Sequence, residues 1–158
     1  MGLKQKITPW LWFDGTAEEA ARFYVSVFPN SRILTVAHNA EGGAGPAGSV
    51  LAVLFELDGV SFGAINGGPT FKLSEATSFM IDCATQEEID YYWEKLGAGG
   101  SYQSCGWLKD RFGLSWQVNN SEVVEKGHSD PAASARIMTA ILQMEKIDLA
   151  ILRRAVEG

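Results

Sequence analysis

Apolar residues follow two different periods along this chain, and the changes between them mark its elements. From Ala17 to Phe28 they return at helical spacing, through Ala20, Phe23, Tyr24 and Val27. One face of such a helix is apolar and needs a sheet to cover it. Ile7 to Phe13 reads instead as a strand, as do 32–38, 50–57 and 60–65. Pro29-Asn30-Ser31 closes the helix. Asp58-Gly59 is a two-residue hairpin signal between two of the strands. Residues 39–49 are rich in glycine and proline and read as a loop.

The same order then repeats. Thr16-Ala17-Glu18-Glu19-Ala20-Ala21-Arg22-Phe23-Tyr24 reappears as Thr85-Gln86-Glu87-Glu88-Ile89-Asp90-Tyr91-Tyr92-Trp93. Each copy follows a strand-like run, and in each a threonine stands three residues before a glutamate, the pattern of a capping box. The second copy predicts a strand over 77–83 and a helix over 86–96. Strands follow near 101–104, 105–109 and 114–119, with a turn at Asp110-Arg111-Phe112-Gly113. One β-α-β-β-β unit is therefore used twice. Each is too small to bury a core alone, and a pocket is expected where the two meet.

The last residues differ from both copies. Asp130-Pro131 is a helix start with proline in the first turn. Ile137, Met138, Ile141, Leu142 and Met144 form an apolar stripe, and a second helix is expected over 148–156. The expected organisation is a first module over 1–66, a crossover and second module over 67–119, and a helical extension over 120–158, all in one structural unit. The extension reads as structural cover or a subunit contact.

Composition narrows the function classes. Of 158 residues, 46% are hydrophobic, enough for a core, and the net charge is −6. That acidity, with no Lys/Arg run, argues against nucleic acid and against a membrane surface. No stretch approaches the roughly 20 apolar residues of a membrane span. Met1 to Lys6 is polar and unlike a signal peptide. Two cysteines, Cys83 and Cys105, fit a reducing cytoplasm. No zinc-type spacing of Cys or His is present.

The doubled β-α-β-β-β order resembles the vicinal oxygen chelate superfamily, which includes glyoxalases, extradiol dioxygenases and bleomycin and fosfomycin resistance proteins. Four stretches resemble its PhnB-like branch, often labelled 3-demethylubiquinone-9 3-methyltransferase. They are Ile7-Thr8-Pro9-Trp10-Leu11-Trp12-Phe13, Glu19-Ala20-Ala21-Arg22-Phe23-Tyr24, Phe62-Gly63-Ala64-Ile65-Asn66-Gly67-Gly68-Pro69 and the long run from Cys105 to Gln117. The resemblance is read over the whole chain, helical extension included. It implies an α+β fold of two tandem modules, a small-molecule cavity between them, and a homodimer.

The superfamily's metal ligands are His or Glu on inner strands. The corresponding positions here are Ile7, Thr8 or Pro9 on the opening strand, then Ser78 (or Thr77), then Gln117. None is a good transition-metal ligand, so no metal and no cofactor is expected. His38 and His128, the only histidines, read as loop residues, and Glu56 and Asp58 as solvent-facing. Methyl transfer of the common S-adenosylmethionine class is not expected either. Gly42-Gly43-Ala44-Gly45 leads into a strand rather than a helix, and the element order is wrong for a doubly wound sheet.

What remains is a pocket of aromatic and small polar groups. By the family's register, Trp10 and Trp12 face the cavity. Trp107 and Trp116 flank the second hairpin, Asn66 and Phe71 lie in the crossover, and Ser78, Cys105 and Gln117 add polar atoms. Cys105 reads as a structural thiol, since no histidine stands near to activate it. The expected function is binding of a small aromatic or planar molecule. The alternative is an enzyme of the same superfamily working through a non-standard site on a small metabolite.

Overall fold

The computed structural model describes residues 5–158. They divide into two compact units, one ending at Leu73 and the other running from Ser74 to Gly158.

The first unit runs β1 (Trp10–Phe13), α1 (Ala17–Val27), β2 (Arg32–His38), β3 (Val50–Leu57) and β4 (Val60–Asn66). Its sheet has the order β1-β4-β3-β2, with β1 parallel to β4 and the other pairs antiparallel. Leu11 and Phe13 are buried, and so are Val53, Phe55, Leu57, Phe62 and Ala64 on the same side of the sheet. The apolar face of α1 is buried through Ala17, Ala20, Ala21, Tyr24 and Val27. Asp58 and Gly59 both have positive φ, +47° and +79°, as the tight hairpin turn between β3 and β4 demands.

The second unit repeats this topology: β5 (Ser78–Asp82), α2 (Gln86–Gly97), β6 (Ser101–Tyr102), β7 (Trp107–Lys109) and β8 (Ser115–Asn119), in sheet order β5-β8-β7-β6. Three helices follow, α3 (Ser121–Ser129), α4 (Pro131–Ile141) and α5 (Leu149–Glu157). They belong to this unit, and Gln86 ties them in. Its Nε2 donates to the Ile147 carbonyl at 2.9 Å, and its Oε1 accepts from the Leu149 N–H at 2.8 Å. The Cys105 and Gly106 amides donate to the carbonyls of Met144 and Glu145. Ile147, fully buried, sits where a side chain on Gly106 would have to go.

Several expectations need correction. The first strand begins at Trp10 rather than Ile7, just after Pro9, which has no N–H for a ladder. Only in the second copy does the threonine cap its helix: the Thr85 hydroxyl accepts from the Glu88 N–H at 3.2 Å, while Glu88 Oε2 accepts from the Ala84 N–H rather than from that of Thr85. Thr16 makes no side-chain cap. Asn66 Oδ1, from the end of β4, accepts from the Ala17 N–H at 2.9 Å instead. Residues 121–129 form a helix with no apolar stripe to announce it, only Val123 being buried, so His128 is helical rather than in a connection. Asn120 starts that helix by accepting from the Val123 N–H at 3.1 Å. The stripe on α4 is split: Ile137 is buried, while Met138 and Leu142 are exposed. Glu56 is buried and not solvent-facing, because Arg32 Nε reaches its Oε2 at 3.0 Å from the neighbouring strand.

Candidate functional site

Helix α1 packs on one face of the first sheet and α2 on one face of the second, so ligand-binding side chains are sought on the opposite, open faces. Side chains alternate along a strand, and Leu11 and Phe13 take the packed side of β1. Trp10 and Trp12 are therefore on the open side. Trp10 pairs with Gly63, and a Cβ at that glycine would fall inside the indole. The missing side chain lets the ring lie flat on the sheet, where it remains 50% exposed. Trp12 lies over Gly67 in the same way. Its indole N–H donates to the Gly68 carbonyl at 2.9 Å, and its ring meets Phe71 edge-on, with centroids 5.0 Å apart. Phe71 is 63% exposed. Three aromatic rings thus form one apolar patch in the first unit.

Asn66 stands apart from this patch in role. Its Oδ1 caps α1, and its Nδ2 donates to the Val50 carbonyl at 3.1 Å, so its amide braces the backbone. It borders a cleft of about 370 Å³, whose wall also includes Asp14, Asn39, Ser49 and Gly67.

In the second unit the open face carries two rows of cross-strand partners. Ser78, Ser115 and Lys109 form one row, and Met80, Gln117 and Trp107 the next. Gln117 Nε2 donates to Ser78 Oγ at 2.8 Å, joining the rows. The Ser115 hydroxyl is buried and has no hydrogen-bond partner. Lys109 Nζ lies 2.6 Å from Glu75 Oε1, and Gln103 Nε2 donates to the same oxygen at 3.1 Å. The hydrogen bond from Lys109 does most to hold the Glu75 carboxyl down to about 2, with help from a backbone amide and Gln103.

Trp116 is not on this face. It alternates with Ser115 and Gln117 and pairs with Phe79 and the fully buried Leu108. Its ring is 3% exposed, and its indole N–H donates to Asp110 Oδ2 at 2.9 Å. Asp110 Oδ1 accepts from the N–H groups of Phe112 and Leu114, so this buried carboxylate organises the turn. Trp116, expected to line a cavity, is instead buried on the opposite face of the sheet from Ser115 and Gln117, and that acceptor lets its indole be buried without loss. Cys105 also stands apart. It occupies a turn at φ +62°, tied through its amide to Met144. The other thiol, Cys83, is pushed up to about 12 by burial first, then by the charges of Glu88 and Asp82.

The sequence candidates therefore separate. Trp10, Trp12 and Phe71 share a patch in the first unit, and Ser78, Trp107 and Gln117 share a face in the second. Met80, Lys109, Ser115 and Glu75 were missed. Three of these could have been found from strand alternation counted from Gln117 and its partners. Glu75, off any strand, gave no such signal.

Two βαβββ units with this strand order define the glyoxalase/bleomycin-resistance class of fold, that of the vicinal oxygen chelate superfamily. A family model described as 3-demethylubiquinone-9 3-methyltransferase matches residues 5–119. A PhnB protein from Bacillus cereus, described by the same methyltransferase name, is 37% identical, with 72% of this chain and 98% of that one covered and a TM-score of 0.67. The chain belongs to this PhnB-like family. A protein from Pseudomonas aeruginosa, at 19% identity, covers 74% of this chain and 98% of its own with a TM-score of 0.61. The fosfomycin resistance protein FosX from Listeria monocytogenes, at 14% identity, covers 79% and 98% with a TM-score of 0.54, a likeness of fold alone. No curated protein matches the sequence. The family match ends at residue 119, so α3, α4 and α5 lie outside it. The resemblance read over the whole chain is corrected to that extent.

Proposed function

We propose that this chain binds a small planar or aromatic molecule on the open faces of its sheets, and that it does so as a homodimer without the superfamily's usual metal. The observation that carries this reading is the Trp10–Trp12–Phe71 patch. Two glycines are spared so that indoles can lie flat, and two of the three rings are half or more exposed. Contiguous exposed apolar surface is a feature of ligand-binding sites, and flat rings favour flat partners.

The donor set fits a metal poorly. FosX from Listeria monocytogenes has been crystallised with Mn(II). Here two of the positions expected for ligands, Ser78 and Gln117, hydrogen-bond each other, and neither is a strong ligand for a transition metal. Among the described residues no group of three or more His, Cys, Asp or Glu side chains is arranged to hold an ion. Methyl transfer has no support in the site either. The glycine-rich residues 42–45 join the antiparallel strands β2 and β3, not a strand to a helix N-terminus that would cradle a nucleotide. Among the described residues no helix is long and apolar enough to cross a membrane.

Native mass spectrometry of freshly purified protein tests the reading in one measurement. A dimer carrying an organic molecule is expected. A stoichiometric metal would overturn the metal-free reading, and a bare monomer would overturn the dimer.

A further inference from the structure

The open face of the second unit holds an unsatisfied group beside an occupied one. Ser78, Ser115 and Lys109 lie on adjacent strands in one row, spanning roughly 10 Å at ordinary strand spacing. All three can donate hydrogen bonds. The Ser78 hydroxyl already accepts from Gln117, which leaves its own proton free to donate. The buried Ser115 hydroxyl has no partner, which native structures rarely leave so. Lys109 is taken, but by a residue from outside the sheet. Glu75 precedes β5 and half-exposes its carboxylate. Its contacts are Lys109 and Gln103, at the edge of a row of donors.

We propose that Glu75 is a built-in competitor for an anionic ligand. A small carboxylate-bearing molecule displaces it from Lys109 and draws on the Ser78 and Ser115 hydroxyls. This rests on the binding role given above and names the chemistry of the ligand on this face. The next row, Met80–Gln117–Trp107, lies two residues along the strands, roughly 7 Å away. That is the reach of a carboxyl group carried on one aromatic ring. Met80 is 41% exposed and Trp107 partly so, offering a thioether and an indole to that ring. The anion and the ring would thus be read by different rows.

Benzoate and its neutral counterpart benzamide are the probes, titrated into the full-length protein and followed by amide shifts of residues 78, 109 and 115. Benzoate is expected to bind at these residues and benzamide to bind more weakly. Glu75→Gln should tighten benzoate about fivefold, the scale of one exposed ion pair relieved. Lys109→Met should weaken it by more than about tenfold. Ser115→Ala should weaken it without destabilising the fold, since that hydroxyl has no partner to lose. The proposal is overturned if Glu75→Gln leaves benzoate binding unchanged, if benzamide binds as tightly, or if the shifts map elsewhere. It is also overturned if neither probe binds. In each of these cases the broader binding role still stands or falls on the co-purified molecule, so the two failures are distinguishable.

Discussion

Trp116 donates its indole N–H to the buried carboxylate of Asp110 at 2.9 Å, and the same carboxylate receives two backbone amides of the turn between β7 and β8. One side chain thus fixes both a core ring and the hairpin that carries it. Trp116→Ala should lower unfolding stability by about 3–5 kcal/mol, the cost of a large buried aromatic. Trp116→Phe keeps most of the bulk but removes one hydrogen bond to the buried carboxylate, at about 1–3 kcal/mol. Urea unfolding measures both. Probe binding on the Trp10–Trp12 face should be untouched, and a Trp116→Ala protein of unchanged stability would show the ring is not core.

That pair also explains how far the sequence could be read. The helices were legible because caps and helical spacing are local. Ala20 and Ile89, Tyr24 and Trp93, and Val27 and Leu96 occupy matching positions in the two copies, and all are buried. Carried back into the strands, the same alignment fails. Leu11 then matches Met80, and Trp12 matches Ile81. Yet Leu11 and Ile81 face their cores, while Met80 is exposed. The strands are out of step with the helices by one residue, and one residue exchanges the two faces of a strand. Tryptophan gives no warning, because it serves on either face. What decides for Trp116 is an acceptor six residues away in a turn, a tertiary fact. The same holds for Glu56, whose burial depends on Arg32 across the sheet, and for Asn66, whose capping role depends on β4 ending beside α1.

Helix α1 should depend on Asn66 more than on its own N-cap. Thr16 makes no side-chain cap, whereas Asn66 joins the Ala17 N–H to the Val50 carbonyl. Asn66→Ala should cost about 1–2 kcal/mol, near the top of the range for a lost cap. Thr16→Ala should cost under about 0.5 kcal/mol, and Thr85→Ala about 1 kcal/mol, since its cap is made. Equal losses for the two threonines would contradict this division of labour.

The glycines beneath the aromatic patch give a more direct probe of the binding surface. A Cβ at Gly63 has no room under Trp10, nor one at Gly67 under Trp12. Gly63→Ala should lift the Trp10 ring and expose it further, with a red shift in tryptophan emission. The cost to stability should stay within about 1–3 kcal/mol, because the displaced ring is already half outside. Binding of a planar ligand should suffer more than the fold. Unchanged emission would mean the indole is not held flat on that glycine.

Cys83 should be inert in the native protein. Burial, with the neighbouring charges of Glu88 and Asp82, pushes its thiol up to about 12, and the thiolate is the reactive form. A neutral alkylating agent at pH 8 is expected to spare Cys83 until the protein unfolds. Because the folded value lies above the usual 9, this group favours the fold fully below about pH 9. Its contribution is then lost as pH rises toward 12. Peptide mapping after brief alkylation checks the claim, and rapid native labelling of Cys83 would refute it.

Glu75 offers the opposite titration. Lys109 and its other donors hold the carboxyl near 2, against an ordinary 4.5. A carboxylate whose folded value is depressed favours the fold above its unfolded value and loses that contribution as pH falls from about 4.5 to about 2. The group is open to solvent, so the effect on global stability is small and the local titration is the better measure. Carboxyl carbon shifts in the wild type should place the Glu75 midpoint near 2. In Lys109→Met the midpoint should climb back toward 4.5, because the leading cause is gone, with Gln103 and the backbone amide retaining part of the depression. If it stayed near 2 in that variant, Lys109 would not be what holds the carboxylate.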